Sequence, residues 1–99
     1  MSRRKGERPI ARLLDSFSHD HPVARCIREG DPWFYAWQRQ RATPFERLAR
    51  QTGIAAARLM TISGGDRVSR AEVDALARAW EISAGDLIAS MPSRDLVQE

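Results

Sequence analysis

The side chains in this chain that can do chemistry are mainly cations, and they are unevenly placed. Residues 1–58 hold twelve of the sixteen Lys and Arg residues against six carboxylates, whereas residues 59–99 hold four cations and seven carboxylates. A basic half of this kind calls for an anionic partner, and an anionic polymer meets it most naturally. Other reactive groups do not converge. The carboxylates are scattered over polar faces, and no Ser, Cys or Lys stands in a motif beside a base. No glycine-rich phosphate loop follows a strand. The pattern describes no enzyme and implies no cofactor. His19 and His21 flank Asp20, but a metal site needs more ligands than these and Cys26 supply, so residues 18–21 read as a polar loop.

The elements that must position the cations are helical. Leu48 and Ala49 lay an apolar stripe on one segment and Leu59 and Ile62 on the next, with Gly53 between them able to take φ > 0. Helix, glycine turn, helix is the minimal body of a unit that reads DNA. Before it, Asp31-Pro32 predicts a helix start with Asp31 as cap, followed by the aromatic anchors Trp33, Phe34 and Trp37, with Tyr35 directed outward. Thr43-Pro44-Phe45-Glu46 reads as a capping box opening the next helix. After it, Ser69-Arg70-Ala71-Glu72 forms a second capping box, with Val68 and Val73 as its hydrophobic staple. Ser83 with Asp86 repeats the device, stapled by Ile82 and Leu87.

Two short helices are predicted ahead of this body. Ile10, Leu13, Leu14 and Phe17 fall on one face over residues 9–18, and Val23, Cys26 and Ile27 do so over residues 22–29, with Gly30 as the stop. Their apolar faces need burial, in cis or against a second copy of the chain. Residues 1–8 carry Arg3, Arg4, Lys5 and Arg8, either a flexible arm for phosphates or a minor groove, or a solvated terminus. Residues 93–99 read as a frayed tail. At 99 residues, 42% hydrophobic and 29% charged, with formal charge +3, the chain has the composition of one small globular domain. Its longest apolar run covers residues 33–37, far short of the ~20 residues of a membrane span. No apolar stretch suits a signal peptide, and the lone Cys26 cannot form an internal disulfide, so a cytoplasmic protein is expected.

The segment Leu48-Ala49-Arg50-Gln51-Thr52-Gly53-Ile54, followed by a short helix ending at Gly64-Gly65, resembles the phage repressor and Cro type of helix-turn-helix domain, also called Xre-like. So does the closing run from Ala77 to Ile88. The resemblance covers about residues 31–90 and implies an all-α fold: a compact five-helix body preceded by the two N-terminal helices. The expected organisation is a basic arm (1–8), a helical extension (9–30), the helix-turn-helix domain (31–90) and a tail (91–99). In such a domain helix 55–63 enters the major groove, placing Ala56, Ala57 and Thr61 toward base edges. Thr43, Arg47, Arg50, Arg58 and Arg67 then stand as phosphate contacts. The chain departs from the pattern in having Thr43 five residues before Leu48, Ala55 where a Ser or Thr cap is usual, and Ser63 where Glu is usual. Alanine methyls can meet thymine methyls, but the helix lacks the Asn, Gln and Lys that make paired bonds to bases.

The leading expectation is a transcriptional regulator that binds double-stranded DNA as a homodimer. The alternative is a protein-interaction module, binding polymerase, a sigma factor or a toxin partner, that keeps the same fold. Nonspecific nucleoid binding shares the charge argument.

Overall fold

Helix boundaries in the computed structural model, which describes residues 15–98, follow from capping bonds and from residues in the left-handed region. The first described helix, α1 (Pro22–Arg28), starts where the His21 ring Nδ1 accepts the Val23 N–H at 3.0 Å. It ends at Glu29, and Gly30 turns the chain with φ 110°. Helix α2 (Trp33–Arg41) is capped by Pro32, not Asp31, whose carboxylate instead lies 3.9 Å from the Arg39 guanidinium. Pro32 has no side-chain acceptor to offer, and its missing N–H removes one of the donors left open at the helix start. Helix α2 closes on Ala42 in the left-handed region, φ 51°. Helices α3 (Phe45–Thr52), α4 (Ala56–Ser63), α5 (Arg70–Trp80) and α6 (Ala84–Ser90) complete the body. The expected capping box at Ser69 forms in both directions: Ser69 Oγ accepts the Glu72 N–H at 3.0 Å and Glu72 Oε1 accepts the Ser69 N–H at 2.9 Å. Ser83 Oγ caps α6 through the Asp86 N–H at 3.1 Å.

The core is aromatic at its centre. Trp37 and Trp80 stack with centroids 6.1 Å apart, Phe34 meets Trp80 edge-on at 5.3 Å, and Trp33 meets it at 6.5 Å. Leu48, Leu59, Ile62, Val73, Leu76 and Leu87 close around these rings, all fully buried. Buried indole N–H groups need acceptors. Trp37 donates to Ser90 Oγ at 2.9 Å, and Trp80 donates to Thr43 Oγ1 at 2.9 Å. Tyr35 faces outward as expected, with Arg39 over its ring.

Three expectations are corrected. The helix predicted over residues 9–18 is not present in its described part, residues 15–18; Ile10, Leu13 and Leu14 lie outside the described residues. Asp15 bridges to Ile82 in parallel, its N–H bonding the Glu81 carbonyl at 2.9 Å, and the Phe17 N–H reaches Asp86 Oδ2 at 3.2 Å. Asp15 also takes the Ser16 N–H on its own side chain, the local competition that makes Asp and Ser poor helix interiors. The tail is ordered by pairing: a 3₁₀ turn at Arg94–Leu96 leads into β2 (Val97–Gln98), parallel to β1 (Val68–Ser69) with Val68 opposite Val97. His21 is a buried core residue, 7% exposed, its Nε2 within 2.6 Å of Asp15 Oδ2, and Arg41 donates to the same oxygen at 2.9 Å. Because Nδ1 accepts from Val23, the Nε2 atom carries the proton and donates to Asp15. That bond, helped by Arg41, holds the Asp15 carboxyl below its ordinary range. Through these contacts the segment before α2 packs in cis, with Val23 and Ala24 buried in the same core.

Candidate nucleic-acid interface

The α3–α4 pair is built by a left-handed turn between two helices whose apolar stripes face each other. Leu48 of α3 and Leu59 and Ile62 of α4 are fully buried. Gly53 takes φ 77°, which a side chain adopts only with strain, and its N–H closes α3 on the Ala49 carbonyl at 2.9 Å. Thr52 locks the turn: its hydroxyl donates to the Leu48 carbonyl at 2.7 Å and accepts the Ile54 N–H at 3.1 Å. Ala55 precedes α4 without a side-chain cap, as its type dictates.

On the outer side of α3, Arg47 and Arg50 are exposed, and neither makes an ion pair among the described residues. Arg47 reaches only the Ala42 carbonyl, at 3.4 Å. Arg67, in the loop after α4, is exposed as well. On α4 the exposed side chains are Ala57, Met60 and Thr61, and Ala56 is half-buried. The Thr61 hydroxyl donates back to the Ala57 carbonyl at 3.0 Å, which commits its only proton. Met60 is 58% exposed. It is the residue that sequence reasoning passed over, although its position three after Ala57 places it on the same face.

Two members of the expected phosphate set are placed otherwise. Thr43 is 5% exposed and its hydroxyl holds the Trp80 indole, while Pro44 takes the cap position. The extra residue between Thr43 and Leu48 is the signal that the cap lies elsewhere. Arg58 is bound within the protein. Its Nε and one terminal nitrogen clasp both Glu72 oxygens at 2.8 and 3.0 Å, the other terminal nitrogen meets Asp66 Oδ2 at 2.7 Å, and the Arg67 carbonyl accepts a fourth bond at 2.8 Å. With two carboxylates around one guanidinium, the cluster offers no net attraction to a phosphate. It ties α4, its following loop and the capping box of α5 into one unit.

The guanidinium holds the Glu72 and Asp66 carboxyls below their ordinary range, and is itself pushed further toward permanent charge. A carboxyl with a depressed folded-state value contributes stability that is complete above its ordinary titration range, about pH 4, and is lost as pH falls through the depressed value. Glu72→Gln keeps an acceptor for the Ser69 N–H and removes the charge. It should lower the thermal midpoint at pH 7 and flatten the fall in stability between about pH 4 and pH 2, read by thermal unfolding across that range.

The structure thus brings Arg47, Arg50, Ala56, Ala57 and Thr61 to one helix pair, with Arg67 in the loop that follows. Arg3, Arg4, Lys5 and Arg8 lie outside the described residues. No helix among those described is long and apolar enough to cross a membrane. Residues 40–93, more than half of the chain, match the family model described as Cro/C1-type HTH DNA-binding domain. No curated protein and no solved structure matches the chain.

Proposed function

Because this chain belongs to the family of Cro/C1-type HTH DNA-binding domains, we propose that it is a transcriptional regulator that binds double-stranded DNA as a homodimer, with α4 in the major groove. The observation that carries this reading is the pair Arg47 and Arg50, exposed on α3, the helix that packs against α4, and committed to no carboxylate among the described residues. Guanidinium forks of this kind fit phosphate oxygens, which fix a protein's register on a duplex without reading its sequence. Arg67 joins them, and the arm with Arg3, Arg4, Lys5 and Arg8 is assigned to neighbouring phosphates or the minor groove. Ala56, Ala57 and Thr61 face the base edges. Two copies would read half-sites one helical turn, roughly 34 Å, apart.

A second reading, a protein-interaction module that keeps this fold, is favoured by one observation: the outward face of α4 carries the exposed Met60. Salt separates the two. Binding to a duplex should weaken with a log–log slope of about −0.9 for each phosphate neutralised. Arg47, Arg50 and Arg67 from two protomers therefore contribute roughly −5 to the slope between 50 and 300 mM KCl, and phosphate contacts of the arm steepen it further. A flat response, or no duplex binding at low salt by the folded protein, contradicts the DNA-binding reading.

A further inference from the structure

The outward face of α4 lacks the groups that usually discriminate bases. Arg58 spends its guanidinium on Glu72, Asp66 and the Arg67 carbonyl. Thr61 spends its proton on the Ala57 carbonyl. Ser63, the remaining polar side chain of the helix, is half-buried in the last turn. Gln51, at the end of α3, lines a depression with Arg78, Ala79 and Glu81 beside the C-terminus of α5, and no α4 residue lines it. What the helix does present is apolar: the Ala57 methyl and the flexible thioether of Met60, 58% exposed, with Thr61 alongside.

We propose that α4 reads the C5-methyl groups that line the major groove, those of thymine, with Met60 and Ala57 as the specificity-determining contacts. The proposal rests on the DNA-binding reading above. In the major groove every base edge but one offers only donors and acceptors; thymine alone adds an apolar group. A face without a side-chain donor gains nothing from guanine N7 and O6, which need one. An exposed methionine, by contrast, gains from any apolar surface it covers, and its three rotatable bonds let it follow the methyl positions of successive base pairs. Affinity then comes from Arg47 and Arg50 on phosphates, and preference from methyl burial. Each methyl covered is worth roughly a threefold to fourfold gain in binding.

Uracil tests this directly, because it differs from thymine only in that methyl. The full chain is titrated against four 24-base-pair duplexes: alternating dA-dT, alternating dA-dU, alternating dG-dC, and alternating dG with 5-methyl-dC. The expected result is binding about tenfold tighter to dT than to dU, a gain of the same sign from 5-methyl-dC over dC, and one common salt slope. Met60→Ala, at an exposed position, should reduce both ratios toward one while leaving the salt slope and the thermal midpoint unchanged. Equal, salt-dependent binding to dT and dU duplexes overturns methyl reading and leaves the DNA-binding reading standing. A dT preference that Met60→Ala does not reduce also overturns it, since duplex shape would then carry the preference. Binding to none of the four by the folded protein at low salt overturns both readings.

Discussion

Replacing Arg47 and Arg50 together with alanine is expected to weaken duplex binding by at least about 100-fold for each protomer at moderate salt, and to make the log–log salt slope shallower by about 2 for each protomer. A charge-assisted bond to phosphate is worth about 1.5–3 kcal/mol, and each 1.4 kcal/mol is tenfold in affinity. Two such bonds lost reach the hundredfold range. The loss should be nearly the same for every duplex sequence, because phosphates carry no base information. Both side chains are exposed, so thermal stability should change little, within about 0.5 kcal/mol for each site. Titration of the double variant against two unrelated duplexes reads all three quantities. A loss confined to one duplex would place these arginines on base edges.

Trp80→Ala should have the largest effect on the fold, about 3–5 kcal/mol out of the 5–15 kcal/mol that typically holds a domain together. At roughly 4–8 °C for each kcal/mol in a chain of this size, the thermal midpoint falls by 12 °C or more. The indole is fully buried and touches three other aromatic rings, those of Trp33, Phe34 and Trp37. Among the described residues its N–H is also the one donor to the Thr43 hydroxyl, so Trp80→Phe and Thr43→Val strand one partner each at a cost of about 1–3 kcal/mol. Thr43→Val carries a second message. If Thr43 acts in the core, the variant melts lower yet, while folded, keeps the wild-type affinity for a duplex; a uniform loss of affinity across duplex sequences by the folded variant would return Thr43 to the phosphate set.

What could be read from the amino-acid order is what depends on neighbours in the chain. The buried stripe Val73, Leu76, Ala77 and Trp80 follows from helical spacing. The Ser69–Glu72 capping box follows from a spacing of three residues, and the left-handed Gly53 from its lack of a side chain. What could not be read depends on partners distant in sequence. Thr43 looks like a cap until Trp80, 37 residues on, is seen to use its hydroxyl. Arg58 looks like a phosphate ligand until Asp66 and Glu72, 8 and 14 residues on, are brought beside it. Asp15 bridges to Ile82 because α5 ends there, a placement no local pattern contains. The tail likewise forms β2 only because β1 offers it an edge. The same division shapes the interface: helix spacing points to Ala57 and Thr61, while the donors missing from that face become visible only once their internal partners are known.

Selection of bound duplexes from a random pool shows whether this helix pair reads double-stranded DNA in a sequence-dependent way. The expected outcome is enrichment of an inverted repeat with half-sites one helical turn apart and thymine at the positions facing α4. Recovery of an unenriched pool, or retention of no duplex by the folded protein at low salt, would contradict it.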